Sequence, residues 1–291
     1  MQTALARRLV VDAPLATITL FVLVVVTSGV ASSFATLPET SESANLLARV
    51  FLVCAVNATL LTWTLLRSAA SGGRLVLLVV ALYFGIGAFM TQNETLYFNS
   101  ALDVPAAVVN GHLAASFVTA LLFAAGIGRW IVRRRSRDRT PDLAIVSEGR
   151  GWKIAVLACL FYPALYFLFG YFVLWQNDAA RQLYQGSSEL LPAWQHLAGI
   201  FRDDPWLYPW QCLRGLVWVG LALLVVRDST AGRAETAVLV GLLFALLMNM
   251  QHLIPNPFMP PEVRLWHFLE TASSNFLLGA GIVAWLTKPA P

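Results

Sequence analysis

The sequence predicts an all-α, polytopic membrane bundle of about eight spans, with both termini on the cytoplasmic side. Three observations predict it. Only 12% of residues are charged, against about 25% in an ordinary soluble domain. Hydrophobic residues make up 58% and mean hydropathy is +0.66. The apolar residues fall into runs of about 20, the length that crosses a bilayer as a helix. The net charge of +4 is therefore a topology signal rather than a nucleic-acid signal.

The first span is placed near 13–34. Arg7-Arg8, the apolar run and Ser33-Phe34-Ala35 imitate a signal peptide. The run is longer than the 7–15 residues of a signal h-region, so it is read as a retained span. Further spans are placed near 45–66, 74–93, 105–132, 152–175, 209–227, 235–253 and 262–287. With the N-terminus inside, the inner segments hold 15 of the 20 Lys and Arg residues. The outer set is Arg49, Arg181, Arg202, Arg214 and Arg264. That imbalance predicts an even number of spans. The longest inner loop, about 133–150, is basic, suits anionic lipid beside it, and divides the chain into halves 1–140 and 141–291 of one membrane domain.

The longest outer loop, about 176–208, ends in Trp206, Tyr208 and Trp210, which read as interface anchors. Within it, Glu189 to Ile200 reads as a short amphipathic helix on the outer surface, with a lid as the alternative. A weak parallel repeat is suggested. Gln92-Asn93-Glu94 and Gln251-His252 each precede a short link, and His112 follows Pro105, as His267 follows Pro260, seven residues on.

Gln251–Asn275 is the stretch around which the polar residues gather. Four prolines, Pro255, Pro257, Pro260 and Pro261, break the helix in its middle. Beyond them Arg264, His267, Glu270, Thr271, Ser274 and Asn275 share about 140° of one helix face. Ionisable residues inside a span mark a functional site. Other spans offer matching faces: His112, Ser116 and Thr119; Gln211, Arg214 and Trp218; Tyr83, Gly87 and Glu94. At 1.5 Å per residue, the ionisable ones fall in the outer half of the membrane.

Several chemistries suit this cluster. His112, His252, His267 and Glu270 form a donor set for zinc or iron, although no HExxH spacing is present. A haem between His112 and His267 is a second reading. The broad reading is acid–base and ion-pair chemistry by His267, Glu270, Arg264, Glu94 and Arg214, with Glu270 paired to Arg214 as the purely structural alternative. A thiol site would use Cys212 near Arg214. Its context, QCLRGL, lacks the Cys-Ser-Gly of the exosortases, which are eight-span membrane proteases, and no family is assigned. Cys54, Cys159 and Cys212 read as small packed side chains and His196 as a solvated one. FYPALYFLFGYFVLW in span five reads as a packing or lipid-facing helix, or as an apolar wall for a lipid-like ligand.

The function predicted is a membrane-embedded enzyme, open on the outer side, acting on a lipid-like or small amphiphilic substrate. A proton-coupled transporter or channel is the first alternative, and a non-catalytic sensor or assembly factor the second. A transporter needs polar groups near the midplane, whereas here they favour one half. No Walker or GxGxxG motif is present.

Overall fold

The computed structural model describes residues 2–33, 45–135 and 140–290, with side chains from residue 5. Glu39, Glu42, Arg137 and Arg139 of the predicted loops lie outside the described residues, as does the Phe34-Ala35 of the signal-like motif. Helices dominate, and six are long and apolar enough to cross a membrane. These are α1 (Gln2–Ser32), α2 (Leu46–Leu66), α3 (Gly72–Tyr97), α4 (Ala106–Arg133), α5 (Arg150–Gln176) and α8 (Leu207–Arg227). Between α5 and α8 lie two short helices, α6 (Asp178–Gln185) and α7 (Ala193–Asp203). Two more long helical runs close the chain. α9 (Arg233–Leu242) continues through a π-type stretch (Leu243–Leu247) to a 3-10 turn (Met250–Leu253), and α10 spans Pro261–Leu286. The polar stripe that interrupts α10 lowers its apolarity below that of the six.

The predicted break falls where the prolines require it. Pro260 is extended, with φ −55° and ψ 148°, and Pro261 opens α10 at its first position, where a missing N–H is harmless. α6 begins at Asn177, whose side chain accepts from the Ala180 N–H at 2.9 Å, an N-cap. Gly186 ends it in the left-handed conformation, φ 68°, which favours glycine.

α1 packs along α2 and α4, and α10 along α9 and α5, while α3 bridges the two sets through α4 and α9. Glycines set two of these contacts. A Cβ on Gly215 would collide with the Ala158 carbonyl oxygen, and one on Gly279 would sit 2.8 Å from that of Val240. Small residues at such crossings let helix backbones approach in lipid, where packing rather than the hydrophobic effect joins helices.

One end of the bundle gathers the segments predicted to lie inside. Arg8 donates to the Arg134 carbonyl at 2.7 Å, and Arg135 to the carbonyls of Leu65 and Ala70. Leu143–Ile145 pairs antiparallel with Thr287–Pro289, and Ser68 bridges to Ser229. Buried Asp228 pairs with Arg74 at 3.0 Å, and Arg67 with Glu235 at 2.6 Å. The other end gathers the remaining links. Arg49 donates to the Leu253 carbonyl, Tyr97 to Asp204, and Asn177 to Glu262.

Candidate functional site

A cavity of about 1080 Å³ lies at that second end. α5 supplies its longest wall, with Tyr166, Phe167, Tyr171 and Trp175 among the lining rings. Span five therefore walls the cavity with its rings while Leu160, Leu168 and Phe172 remain exposed and Tyr162 and Leu165 pack in the core. α6 and α7 close over the cavity and contribute Tyr184, Trp194 and His196. The polar floor comes from α3, the end of α9 and α10: Thr91 and Glu94, His252, then His267, Glu270 and Thr271.

The α10 stripe is packed inward as its spacing predicts. Arg264, Glu270, Thr271, Ser274 and Asn275 are all buried. Glu270 Oε2 lies 3.5 Å from His267 Nδ1, one turn apart on the same face. His267 Nε2 lies 2.7 Å from the Tyr184 hydroxyl. A carboxylate, an imidazole and a hydroxyl thus stand in line. The ring of His252 stacks on that of His267 at 5.6 Å, with only 5° between planes. The Thr271 hydroxyl lies 2.5 Å from both Asn249 Oδ1 and the His267 carbonyl, which fixes α10 against the end of α9.

Beneath the cavity is a void of about 10 Å³, lined by Glu94, Arg214, Glu270, Tyr162 and Tyr166 among others. A void of this size holds one water. Arg214 is 4% exposed and pairs with Glu94 at 3.0 Å, with further contacts to Gln211 Oε1 and the Met90 carbonyl at 3.3 Å. Its guanidinium lies 4.7 Å from the Trp210 ring centroid. The ion-pair partner of Arg214 is Glu94, not the Glu270 that the structural alternative paired with it.

Other expectations are corrected. Arg264 does not line the cavity; it donates to the carbonyls of Asn256 and Met259 and so holds the proline link. The proline run leaves carbonyls without helical donors, and an arginine at the next helix start serves them. His112 does not line the cavity either, and its place on α4, packed along α1 and α3, separates it from His267. His252, His267 and Glu270 do share the cavity floor, but among the described residues no group of three or more His, Cys, Asp or Glu is arranged to hold a metal ion. Cys54 is buried, Cys159 and Cys212 are half-buried, all three are free thiols, and none lines the cavity.

His196 is buried rather than solvated. It lies 5.0 Å from the Trp175 ring and 5.5 Å from that of Tyr171, with Nδ1 3.4 Å from Gln185 Nε2. Burial lowers its pKa from the ordinary histidine value. The amphipathic helix of the outer loop starts later than its sequence suggested. Residues 189–192 are not helical, and α7 both lines the cavity and exposes Trp194 and Phe201.

Tyr184 escaped the sequence reading. Its segment, DAARQLYQ, is a short polar helix with no intramembrane charge to attract notice. Burial, with Glu94 and Glu270 nearby, pushes its phenol well above the ordinary tyrosine pKa. Tyr184 is therefore a neutral hydroxyl, a proton donor rather than a phenolate. Trp175, stacked on Tyr184 at 5.9 Å and 21° between planes, holds the ring in place.

No family model, curated protein or solved structure matches this chain.

Proposed function

We propose that this protein is an eight-span membrane enzyme that performs acid–base chemistry on an amphiphilic, lipid-like substrate at the outer side of the membrane. The observation that carries the reading is the chain Glu270–His267–Tyr184 on the cavity wall. Hydroxyl, imidazole and carboxylate in that order are the parts of a proton relay. Tyr184, kept protonated by burial, donates to the substrate. His267 restores the proton through Nε2, and Glu270 orients the ring through Nδ1. Glu94 and Arg214 hold the floor as a paired, hydrogen-bonded unit.

The amphiphile part of the reading rests on the mouth. Leu168, Phe172, Leu191 and Trp194 line the cavity and are exposed on the outer surface of the protein. An apolar rim of that kind faces acyl chains without desolvation cost, and the rings of α5 continue it inward. The eight-span reading rests on α9 and α10, which run from the basic end to the cavity end like the six more apolar helices.

The test uses purified protein in lipid nanodiscs, incubated with an extract of its own host's membrane lipids and read by mass spectrometry. The expected result is a lipid species converted in a protein-dependent manner. Tyr184→Phe and His267→Gln should abolish conversion at near wild-type melting temperature. Binding without conversion by wild-type protein overturns the enzyme reading and leaves transport or sensing.

A further inference from the structure

We propose that the amphiphile bound in this cavity carries a cationic head group, an amine or quaternary ammonium, that sits against Glu270 within the aromatic wall. The inference rests on the amphiphile reading above and adds the sign of the head group.

The charges facing the cavity are unequal. Among the described residues, Glu94, Glu270, Asp203 and Asp204 line it, against one arginine, Arg202. Arg202 is already committed to Asp203, with contacts of 2.7 and 3.0 Å. Glu94 is committed to Arg214. Asp204 accepts from the neutral Tyr97 hydroxyl at 2.9 Å. Arg264 stands outside the lining and serves the carbonyls of Asn256 and Met259. Among the described residues that leaves Glu270, 3% exposed, with a histidine at 3.5 Å as its ion-pair neighbour; Arg214 borders the same small void but pairs with Glu94. A carboxylate in so apolar a place gains most from a positive partner.

The walls favour the same sign. Phe98, Tyr166, Phe167, Tyr171, Trp175 and Tyr184 all line the cavity. Ring faces carry negative quadrupole charge and attract ammonium groups, most strongly where water is excluded. An anionic head would meet Glu270 and Asp204 as like charges, and complementary sign is what sets such specificity. A neutral head would use the rings only as apolar surface.

The test compares three probes of one chain length: dodecyltrimethylammonium, dodecanol and dodecanoate. Each is titrated against wild-type protein in neutral-lipid nanodiscs, and saturable binding is read by native mass spectrometry. The cation should bind about tenfold or more tighter than the alcohol, and dodecanoate weakest. Glu270→Gln should reduce the cation's advantage over the alcohol to about twofold or less. Trp175→Leu serves as the second variant, and it should lower cation affinity more than alcohol affinity. Equal binding of cation and alcohol, or tighter binding of dodecanoate, overturns the head-group assignment and leaves the amphiphile reading in place. Failure of all three probes to saturate overturns both.

Discussion

Glu270 and Glu94 are two carboxylates that line the same small void, and their partners give them different roles. Arg214 is almost wholly buried and its ion pair is with Glu94. Removing one member of a buried pair leaves the other charge uncompensated, at about 3–5 kcal/mol. Glu94→Gln should therefore lower stability by about that amount. Glu270→Gln leaves Arg214 its partner, so stability should change by about 1 kcal/mol or less, while the relay loses its orienting charge. Melting temperatures of both variants in one detergent check this. Equal, large losses would return Glu270 to the role of a helix tie. Tyr184 supplies a second residue-scale prediction. Its pKa is raised on folding, so the native state keeps a proton that the unfolded chain releases near pH 10. Stability then falls as pH rises above about 10, with nothing lost below it. Tyr184→Phe should shift alkaline unfolding to higher pH, as measured by melting temperature across that range.

The helices differ in how much of their role their own sequence reveals. The α10 stripe was legible because a 3.6-residue period places six polar side chains on one face, and that face is the one buried. The Gln211–Arg214–Trp218 face of α8 was legible for the same reason, and all three side chains are buried. Arg264 shares the stripe yet turns to the carbonyls of Asn256 and Met259, since the proline link exposes acceptors that periodicity does not register. Tyr184, Trp175 and His196 were not legible, because each gains its place from contacts between α5, α6 and α7 rather than from spacing within one element. His196 makes α7 sensitive to acid. Its pKa is lowered on folding by burial between Trp175 and Tyr171, with Gln185 as its polar neighbour. The stability it contributes is present above about pH 6.5 and is lost as pH falls below that value. Hydrogen exchange of α7 amides, normalised for intrinsic rate, should accelerate on acidification toward pH 5 in wild type. It should accelerate much less in His196→Gln. An α7 that stays equally protected at both pH values would remove histidine burial as its anchor.

At the scale of the whole molecule, the two ends are chemically unlike, and different contacts tie each end together. The basic end joins the N-terminal helix, the links near residues 67–71, 133–150 and 228–232, and the C-terminal strand, through Arg8–Arg134, Ser68–Ser229 and Leu143–Ile145 with Thr287–Pro289. Charge alone predicts that this end is the cytoplasmic one, because lysine and arginine favour that side. The cavity end was legible only as a depth, since its closure depends on the fold of the outer loop. Apolarity alone marks six helices, which would leave α9 and α10 as a hairpin on the cytoplasmic side. Two contacts oppose that arrangement. Arg49, at the start of α2, donates to the Leu253 carbonyl at the end of α9, and Asn177, after α5, donates to Glu262 at the start of α10. The link around Asn256 therefore shares its end of the bundle with the start of α2 and the link after α5. The polar face of α10 lines the cavity, and membrane insertion tolerates polar groups that face a bundle interior. A reporter or accessible cysteine at Asn256 should read as extracytoplasmic, while fusions after Arg139 and at the C-terminus read as cytoplasmic. A cytoplasmic reading at Asn256 with the same C-terminal result would reduce the crossings to six and move the cavity floor out of the membrane.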